Sequence, residues 1–358
     1  MYPALRRTPL HALHQSLGVR FTDFAGWSMP LRFSGETAEH NTVRSSAGIF
    51  DLSHMGQLAV DGPEAGRALD YALVGSISPL AVGAARYTML CHDNGGILDD
   101  LVAYRLAPDR FLVVANASNT PVVLAALRDR LDGFRAQARW EHRVLLAVQG
   151  PHAERIVNCP DASALKYYQA VATELAGRPV LVARTGYTGE DGFEIFCEPA
   201  DAAVLWSAFA PALPAGLASR DTLRLEAGMA LHGNELHVGV SPFEARLGRL
   251  VDFTKPDFVG RTALLRRADQ TPRTLLVGLT STGRRAARAG YAIVDPSTGA
   301  RIGTVTSGAP SPTLGRPIAL GYLATAYAEI GTTVAVDIRG TAEPFTVTAC
   351  RFYSRRDA

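Results

Sequence analysis

Residues 85–118 constrain the fold most strongly, because they read as three consecutive antiparallel strands. The apolar-rich runs ARYTMLCHD, ILDDLVAYRL and FLVVANAS are separated first by an Asn-Gly-Gly turn and then by an APDR turn. Asn-Gly between alternating apolar runs is a strong signal for a tight hairpin. A β-meander with helical segments on either side predicts an α+β fold and argues against a doubly wound parallel sheet.

Helices and further strands are predicted around the meander. The segment TPLHALHQSLG predicts a short helix with Thr8 as its N-cap and Gly18 as its stop. The next helix is predicted to end at Arg44, and a single strand is predicted to run from Gly48 to Val60. A looser repetition of strands and helices follows from residue 143 to residue 250.

The composition changes near residue 274. From there to residue 353 the chain has short apolar runs between Gly, Pro, Asp and Thr turns, namely LLVGLTS, YAIVD, RIGTVTSG, IALGYL, TVAVDIRG and FTVTACRFY. Regular short strands of this kind predict a separate small all-β barrel or sandwich. A chain of 358 residues also exceeds the size at which one hydrophobic core stops growing, so two or three domains are expected.

Composition excludes several broad classes of function. The formal net charge is only +2, from 36 Lys and Arg against 34 Asp and Glu, which gives no support for a large nucleic-acid surface. The four cysteines form no Cys-x-x-Cys pair, so neither a disulfide framework nor a zinc site is expected. No apolar run approaches the ~18 residues of a membrane span. We therefore expect a cytoplasmic protein with reduced thiols and no membrane partner.

The usual cofactor and nucleophile signatures are missing from the sequence. There is no Walker A loop and no Gly-x-Gly-x-x-Gly between a strand and a helix, so nucleotide, flavin and NAD sites are not indicated. No His-x-x-x-His pair or His/Cys cluster predicts a catalytic metal, and no Gly-x-Ser-x-Gly elbow predicts a serine nucleophile. We expect carboxylates, arginines and tyrosines to act on an organic cofactor that arrives as a ligand.

Acidic residues inside apolar strands are the first candidates for such chemistry. Asp99 and Asp100 interrupt the run ILDDLVAYRL, and Glu194 is flanked by large apolar residues in GFEIFCEP. Since strand side chains alternate, the two aspartates point to opposite faces and do not form a carboxylate dyad. Each acid either makes an internal hydrogen bond or ion pair, or binds a ligand. One carboxylate can accept two parallel hydrogen bonds from a guanidinium or an aminopyrimidine edge such as a pterin.

Arg220 is the basic candidate. It is predicted to open the helix SRDTLRLEAGMAL, with Ser219 and Asp221 around the cap, and Arg224 lies one turn further on the same face. Either Arg220 pairs with a surface acid, or it binds a carboxylate of the ligand.

The motifs taken together resemble one family over nearly the whole chain, from about Thr8 to Tyr353. They occur in the order TPLHALHQSLGVRFTDFAGWSMPLRF, AEHNTVRSSAGIFDLSHMG, ARYTML, NGGILDDLVAYRL, LLAVQGP, RTGYTGEDGFEIF, SRDTLRLEAGMALHGNEL, SPFEARLG, DFVGRTAL and TSGAPSPTLGRPIALGYL. This order resembles the aminomethyltransferases, or T-proteins, of the glycine cleavage system. The segment HVGVSPFEA after HGNEL departs from the family, because it lacks the acidic residues common there.

The resemblance implies a function and a set of site residues. It implies transfer of the methylene of an aminomethyl group from the lipoyl arm of H-protein to tetrahydrofolate, with ammonia, dihydrolipoyl H-protein and 5,10-methylenetetrahydrofolate as products. Asp100 resembles the family's catalytic aspartate, Glu194 its pterin-binding acid and Arg220 its folate-contacting arginine, whereas Asp99 is assigned to structure. The remaining cavity residues implied by the resemblance are Met55, Tyr87, Asn116 and Tyr187. No metal, flavin or NAD is expected.

The resemblance also implies an α+β fold of three subdomains around a folate cavity, ending in a small all-β barrel. We predict a folate-binding region at 1–265, with two α+β subdomains divided near 140–150, and a barrel domain at 274–358. A folate-dependent demethylase of the same fold is an alternative. So is a non-catalytic folate-binding protein of iron–sulfur assembly, although the segment KPDFVGRTAL lacks that relative's cysteine. The basic segment GRRAARAG at 283–290 either faces an acidic partner or is a solvated loop.

Overall fold

A computed structural model describes residues 4–355 of the chain. Within these residues the chain forms two compact units. The first unit contains the residues up to Thr88 together with Leu101–Asp221, and the second contains Met89–Asp100 together with the residues from Thr222 onward. The domain boundaries predicted from the sequence follow a different division and stay a prediction.

Twenty strands occur in the described part of the chain. In chain order they are β1 (Arg6–Arg7), β2 (Arg20–Phe24), β3 (Trp27–Arg32), β4 (Gly48–Asp51), β5 (Gly56–Asp61), β6 (Ala85–Cys91), β7 (Ile97–Ala107), β8 (Arg110–Ala115), β9 (Gln137–Glu141), β10 (Val144–Gln149), β11 (Ala170–Leu175), β12 (Arg178–Ala183), β13 (Gly192–Cys197), β14 (Leu213–Pro214), β15 (Thr274–Thr280), β16 (Ala292–Val294), β17 (Arg301–Ser311), β18 (Arg316–Ala324), β19 (Thr333–Ile338) and β20 (Thr341–Thr348).

Nine α-helices accompany them within residues 4–355. They are α1 (His11–Ser16), α2 (Glu36–Ser45), α3 (Ala65–Ala72), α4 (Thr120–Arg130), α5 (Ala153–Val157), α6 (Pro160–Ser163), α7 (Ala202–Ala208), α8 (Leu217–Glu226) and α9 (Arg261–Ala268). None of these helices is long and apolar enough to cross a membrane.

A six-stranded sheet in the first unit has the order β11-β12-β13-β10-β4-β14. Alternation along its central strands separates two faces. On one face Val144, Leu146, Phe193 and Ile195 are fully buried and form a hydrophobic core with Trp206 of α7. The opposite face of the same strands carries Glu194 and Gln149 together with the buried apolar residues Leu145 and Phe196.

The predicted meander is confirmed as β6, β7 and β8 of a five-stranded sheet with the order β6-β7-β8-β5-β9. In β7 the side chains of Ile97, Asp99 and Leu101 are buried, whereas those of Leu98 and Asp100 are half-buried. Asp99 and Asp100 therefore point to opposite faces, as the alternation predicted.

The predicted C-terminal strands close into an antiparallel barrel with the order β15-β18-β17-β16-β19-β20. The α+β fold class with a small C-terminal barrel is thus confirmed, and the sandwich alternative is not observed. The barrel interior is apolar, with Val277, Leu279, Val305, Val334 and Phe345 almost fully buried.

Two local predictions near the N-terminus are wrong. Thr8 does not cap α1, since the N-cap residue is Leu10 and makes no side-chain capping bond; the Thr8 hydroxyl instead donates to Asp51 Oδ2 at 2.7 Å. The single strand predicted from Gly48 to Val60 is two strands in different sheets, β4 and β5. They are separated by a turn in which the Met55 amide donates to the Leu52 carbonyl at 2.9 Å.

Candidate active site

Glu194 lies on β13 of the six-stranded sheet, on the face opposite the hydrophobic core. Its partners across the two neighbouring strands are Ala147 of β10 and Ala183 of β12. Directly paired residues project their side chains to the same face. Both partners are small, and the Glu194 side chain is half-buried in this face.

Two hydroxyl groups fix one oxygen of the Glu194 carboxylate. Thr185 Oγ1 donates to Oε2 at 2.5 Å, and Tyr104 Oη donates to the same oxygen at 3.4 Å. Since Thr185 uses its only proton on Glu194, the single Tyr104 proton is shared between Glu194 Oε2 and Thr185 Oγ1, which lies 3.1 Å from Tyr104 Oη. No described residue donates a hydrogen bond to the other oxygen, Oε1, which is thus available to a ligand.

Tyr104 is held in its neutral, donating form. Burial raises the pKa of its hydroxyl well above the ordinary range, and the negative charge of Glu194 raises it further. The ring also packs edge-on against Phe196, with ring centroids 5.8 Å apart. Tyr104 therefore helps to hold the Glu194 carboxylate in one orientation.

The loop between β12 and β13 is braced by the buried side chain of Gln149. Its Nε2 donates to the Thr185 carbonyl at 3.0 Å, and its Oε1 accepts from Thr188 Oγ1 at 3.0 Å. Arg44 adds a hydrogen bond of 2.7 Å to the Thr188 carbonyl and an ion pair of 2.9 Å with Glu190. Tyr187 lies in this loop, so the same bonds hold its backbone in place.

Helix α8 positions Arg220, and it begins earlier than the sequence predicted. The helix starts at Leu217, so Ser219 and Arg220 lie inside its first turn and do not cap it. The carboxylate of the buried Glu39 binds this end instead, because its Oε2 accepts from the Gly216 amide at 2.9 Å and from Ser219 Oγ at 3.2 Å. An acceptor at a helix N-terminus satisfies its unpaired N–H groups.

The Arg220 guanidinium faces the aromatic ring of Tyr187, with Cζ 4.9 Å from the ring centroid. Burial lowers the pKa of Arg220, and the electrostatic influence of Glu194 and Tyr187 partly offsets this effect. Within residues 4–355 its Nη1 atom is buried and has no hydrogen-bond partner. A buried donor without a partner is costly, and a ligand oxygen would satisfy it.

His54 is a neighbour of this group that was not predicted from the sequence. Burial lowers its pKa to about 4, and although the Asp51 carboxylate acts to raise the pKa, Arg220 lowers it further. The imidazole contacts the exposed Phe24 edge-on at 5.5 Å, and its Nδ1 is buried with no hydrogen-bond partner among residues 4–355. His54 is therefore neutral beside the Arg220 cation.

Asp51, next to His54, is a structural acid. Burial acts to raise the pKa of its carboxyl, but hydrogen bonds from His14, Ser53 and Thr8 lower it overall. The His14 contact is a buried pair of 3.0 Å. This cluster fixes the turn that leads to His54 and Met55.

Met55 and Asn116 lie at the same end of neighbouring strands. Met55 precedes Gly56, which pairs with Ala115, and Asn116 follows Ala115 directly. Tyr87 is half-buried on β6 of the same sheet.

Three of the predicted site residues are brought together by their interactions. Arg220 faces the ring of Tyr187 and responds to the charge of Glu194. His54, which responds to the charge of Arg220, connects this group to Met55 through the chain. For Met55, Tyr87 and Asn116 the assignment to this site stays a prediction.

Asp100 belongs to the second unit. Its backbone amide donates to Asp99 Oδ1 at 3.0 Å, and its own side chain is half-buried whereas Asp99 is fully buried. The more accessible carboxylate of the pair is thus Asp100. In the part of the chain that the structure describes, no group of three or more His, Cys, Asp and Glu side chains is arranged to bind a metal ion.

Comparison with known families identifies the chain. Residues 10–255 match the family model described as GCVT N-terminal domain, and residues 275–354 match the one described as Glycine cleavage T-protein C-terminal barrel domain. The chain belongs to the glycine cleavage T-protein family. The two family models match the chain in the same N- to C-terminal order as the sequence motifs.

Relatives within the family match over their full length. The aminomethyltransferase of Saccharopolyspora erythraea is 53% identical over 362 residues, covering 98% of both chains. That of Streptomyces avermitilis is 55% identical over 369 residues, covering 99% of both. The crystal structure of the glycine cleavage system aminomethyltransferase T from Bartonella henselae aligns with a TM-score of 0.93 at 39% identity, covering 98% of this chain and 99% of that one.

Membership of the family fixes the class of reaction. The chain is an aminomethyltransferase of the glycine cleavage system, an enzyme that transfers one-carbon units. The predicted family and activity are confirmed, and the demethylase and iron–sulfur alternatives are not favoured. The family uses tetrahydrofolate as a substrate and acts with the H-protein of the system.

The residues that support Glu194 and Arg220 were not predicted from the sequence. Thr185 and Tyr104 lie within the motifs RTGYTGED and ILDDLVAYRL, and His54 lies in SHMG. Only Tyr104 carries a signal, as a polar residue inside an apolar run, whereas Thr185 and His54 lie in polar and glycine-containing segments. That signal identifies a buried polar group but not its partner, because the partners come from distant parts of the chain.

Proposed function

We propose that this chain transfers the methylene of an aminomethyl group, carried on the lipoyl arm of H-protein, to tetrahydrofolate. The products would be 5,10-methylenetetrahydrofolate, ammonia and dihydrolipoyl H-protein. The observation that carries the proposal is the Glu194–Arg220 group. Glu194 has an oxygen that no described residue donates to, and Arg220 has a buried nitrogen without a partner among residues 4–355.

The two unused groups fit the pterin part of the folate. A carboxylate with one fixed oxygen accepts parallel hydrogen bonds from an aminopyrimidine edge, and a guanidinium donates to a ring or carboxylate oxygen. The Tyr187 ring, whose centroid lies 4.9 Å from Arg220 Cζ, offers an aromatic face to a planar heterocycle. We propose Met55, Tyr87 and Asn116 as further walls of this site.

We propose Asp100 as the catalytic residue. Loss of ammonia breaks the carbon–nitrogen bond of the aminomethyl group and leaves an electrophilic carbon, which one folate nitrogen attacks. Attack by the second folate nitrogen breaks the bond from this carbon to the lipoyl sulfur, which leaves as the thiol, and the two folate N–H protons go to ammonia and to that thiol. A carboxylate near the reacting nitrogen stabilises developing positive charge and accepts a proton. Asp100 is the accessible acid on a rigid strand, which suits a group whose position must be maintained while two mobile reactants meet.

Ammonia release from aminomethylated H-protein, measured with and without tetrahydrofolate, tests the proposal. We expect folate-dependent release by the wild type and a fall of about 10²–10⁴-fold in kcat for Asp100→Asn, the range typical of a lost general base. Asp109→Asn removes an exposed acid from the turn after β7 and should leave kcat unchanged. Wild-type activity in Asp100→Asn would return that residue to a structural role.

Glu194→Gln tests the folate-binding assignment separately. The substitution keeps the size of the side chain but replaces one acceptor oxygen by a donor, so we expect the KM for tetrahydrofolate to rise at least tenfold. Glu198→Gln, four residues along and largely exposed at 62%, removes the same charge and should leave KM unchanged. Equal KM values for the two variants would contradict the assignment of Glu194, whatever the outcome for Asp100.

A further inference from the structure

The strand segment that leads to Asp100 is held by a second segment of its own unit. The Ile97 amide donates to the Val240 carbonyl at 2.9 Å. At Gly96 a side chain would overlap with the Val238 carbonyl, so the two backbones are in close contact there. Residues 231–240 therefore lie directly against the hairpin that carries the proposed catalytic carboxylate.

His232 contacts the backbone two residues before Asp100. Its Nε2 lies 2.9 Å from the Leu98 carbonyl oxygen, and since a carbonyl only accepts, this nitrogen carries the proton and donates it. The same nitrogen is 4.0 Å from Asp99 Oδ1.

Asp99 completes the connection. Its side chain is fully buried, and Oδ1 accepts the Asp100 amide proton at 3.0 Å. The carbonyl before Asp99 and the amide after it are thus both bound by side chains. Together they fix the peptide frame from which the Asp100 side chain projects.

The segment around His232 is itself fixed to the barrel and to α8. Glu235 Oε2 accepts from the Leu231 amide at 2.9 Å and forms a buried ion pair of 3.0 Å with Arg224. Tyr322 of β18 donates to the Glu235 carbonyl at 2.8 Å, and Asn234 Nδ2 donates to Ser307 Oγ of β17 at 3.2 Å. These contacts hold the segment that contains His232 in place.

We propose that His232, acting with Asp99, is a positioning residue for the Asp100 carboxylate, and that the barrel supports catalysis through it. The inference rests on the role proposed above for Asp100. A reacting group displaced by about 1 Å loses much of its effect on rate. Glu194 and Arg220, which we assign to folate binding, belong to the other unit. Loss of His232 should therefore lower kcat and leave folate binding unchanged.

The experiment compares His232→Ala, His232→Gln and the control His237→Ala in the full-length chain. We expect kcat for ammonia release to fall about tenfold in His232→Ala, with the KM for tetrahydrofolate within about twofold of wild type. The glutamine amide can still donate to the Leu98 carbonyl, so His232→Gln should recover most of the activity. His237 is exposed on the same segment, and its removal should have no effect.

A double-mutant cycle with Asp100→Asn decides whether His232 acts through Asp100. If it does, adding His232→Ala to Asp100→Asn causes no further loss of kcat. An equal tenfold loss in both backgrounds overturns the inference, as does a wild-type kcat in His232→Ala or a parallel loss of folate affinity. If the role proposed for Asp100 is wrong, Asp100→Asn alone keeps the wild-type kcat. That outcome is distinct from each of the results that overturn the inference about His232.

Discussion

At the scale of single residues, the site is built from polar groups buried in pairs and triads whose members are far apart in sequence. The Glu194 carboxylate is held by hydrogen bonds from Thr185 and Tyr104. The N-terminus of α8, the helix that carries Arg220, is bound by Glu39. Glu194 and the helix that carries Arg220 are thus each held by polar groups from other elements. Such support limits side-chain motion, and so reduces the entropy lost when a ligand binds.

His54 supplies a prediction about pH. Its pKa is about 4 in the folded protein and near 6.5 when unfolded, so between these values the unfolded chain binds a proton that the folded chain does not. Stability contributed by neutral His54 is therefore present above the unfolded pKa and declines as pH falls toward 4. At pH 5 the loss relative to pH 7.5 is about 2 kcal/mol.

Urea denaturation at pH 7.5 and pH 5 measures this effect. In His54→Gln we expect the fall in unfolding free energy between the two pH values to be smaller than in the wild type by that amount. His237→Gln, at an exposed position, should show the wild-type fall. A His54→Gln variant that retains the full pH dependence would place the responsible group elsewhere.

At the scale of elements, the loop between β12 and β13 has no room for an added side chain at Gly186. A side chain at Gly186 would overlap with the Gln149 amide, which is buried and uses both its donor and its acceptor on this loop. Gly186→Ala would displace that amide and break two buried hydrogen bonds. We expect a loss of about 2–4 kcal/mol in unfolding free energy and a raised KM for tetrahydrofolate, because Tyr187 is the next residue.

Gly177→Ala is the matched control for Gly186→Ala. Gly177 has φ +71°, and no other atom lies within 4 Å of the point that an alanine β-carbon would occupy, so alanine there incurs only the backbone cost of about 1 kcal/mol. Thermal or urea denaturation distinguishes the two, and steady-state kinetics gives the KM. Equal stability for the two variants, with an unchanged KM in both, would contradict the role assigned to Gln149.

Elements whose signals are local could be predicted from the sequence. The strands β6, β7 and β8 follow from alternation and an Asn-Gly turn, and all six barrel strands follow from regular turn residues. The last strand is displaced from its predicted position, however, since β20 is Thr341–Thr348 and not the run starting at Phe345. Its bounds are set by pairing with β19 and β15, which no single segment encodes.

Elements that depend on distant partners could not be predicted. The interruption between β4 and β5 has no glycine or proline, and at its start Asp51 binds His14 and Thr8. The start of α8 at Leu217 is determined by Glu39, 177 residues away along the chain from Gly216. In the candidate site, Glu194, Arg220 and Asp100 could be predicted from the resemblance to the family. The residues that hold them in place could be identified only from the tertiary structure.

At the scale of the whole molecule, one buried ion pair joins several elements of the second unit. Arg224 of α8 binds Glu235 at 3.0 Å and Ser307 Oγ of the barrel at 2.7 Å. Both charged side chains are almost fully buried, with exposed fractions of 1% and 0%. Removing one partner leaves an uncompensated charge, which costs about 3–5 kcal/mol, whereas replacing both by apolar residues is often nearly neutral.

We therefore expect Glu235→Leu and Arg224→Met each to lower the unfolding free energy by about 3–5 kcal/mol, and the double variant to lower it by much less than their sum. The exposed pair Arg285–Glu343, at 3.2 Å, is the control, and Glu343→Gln should cost less than about 1 kcal/mol. Urea denaturation of the four variants measures these differences. Additive losses in the double variant would mean that each residue acts through other partners. A strongly non-additive result would show that this pair couples α8 to the segment that contains His232. The same ion pair would then contribute both to the stability of the protein and to the position of Asp100.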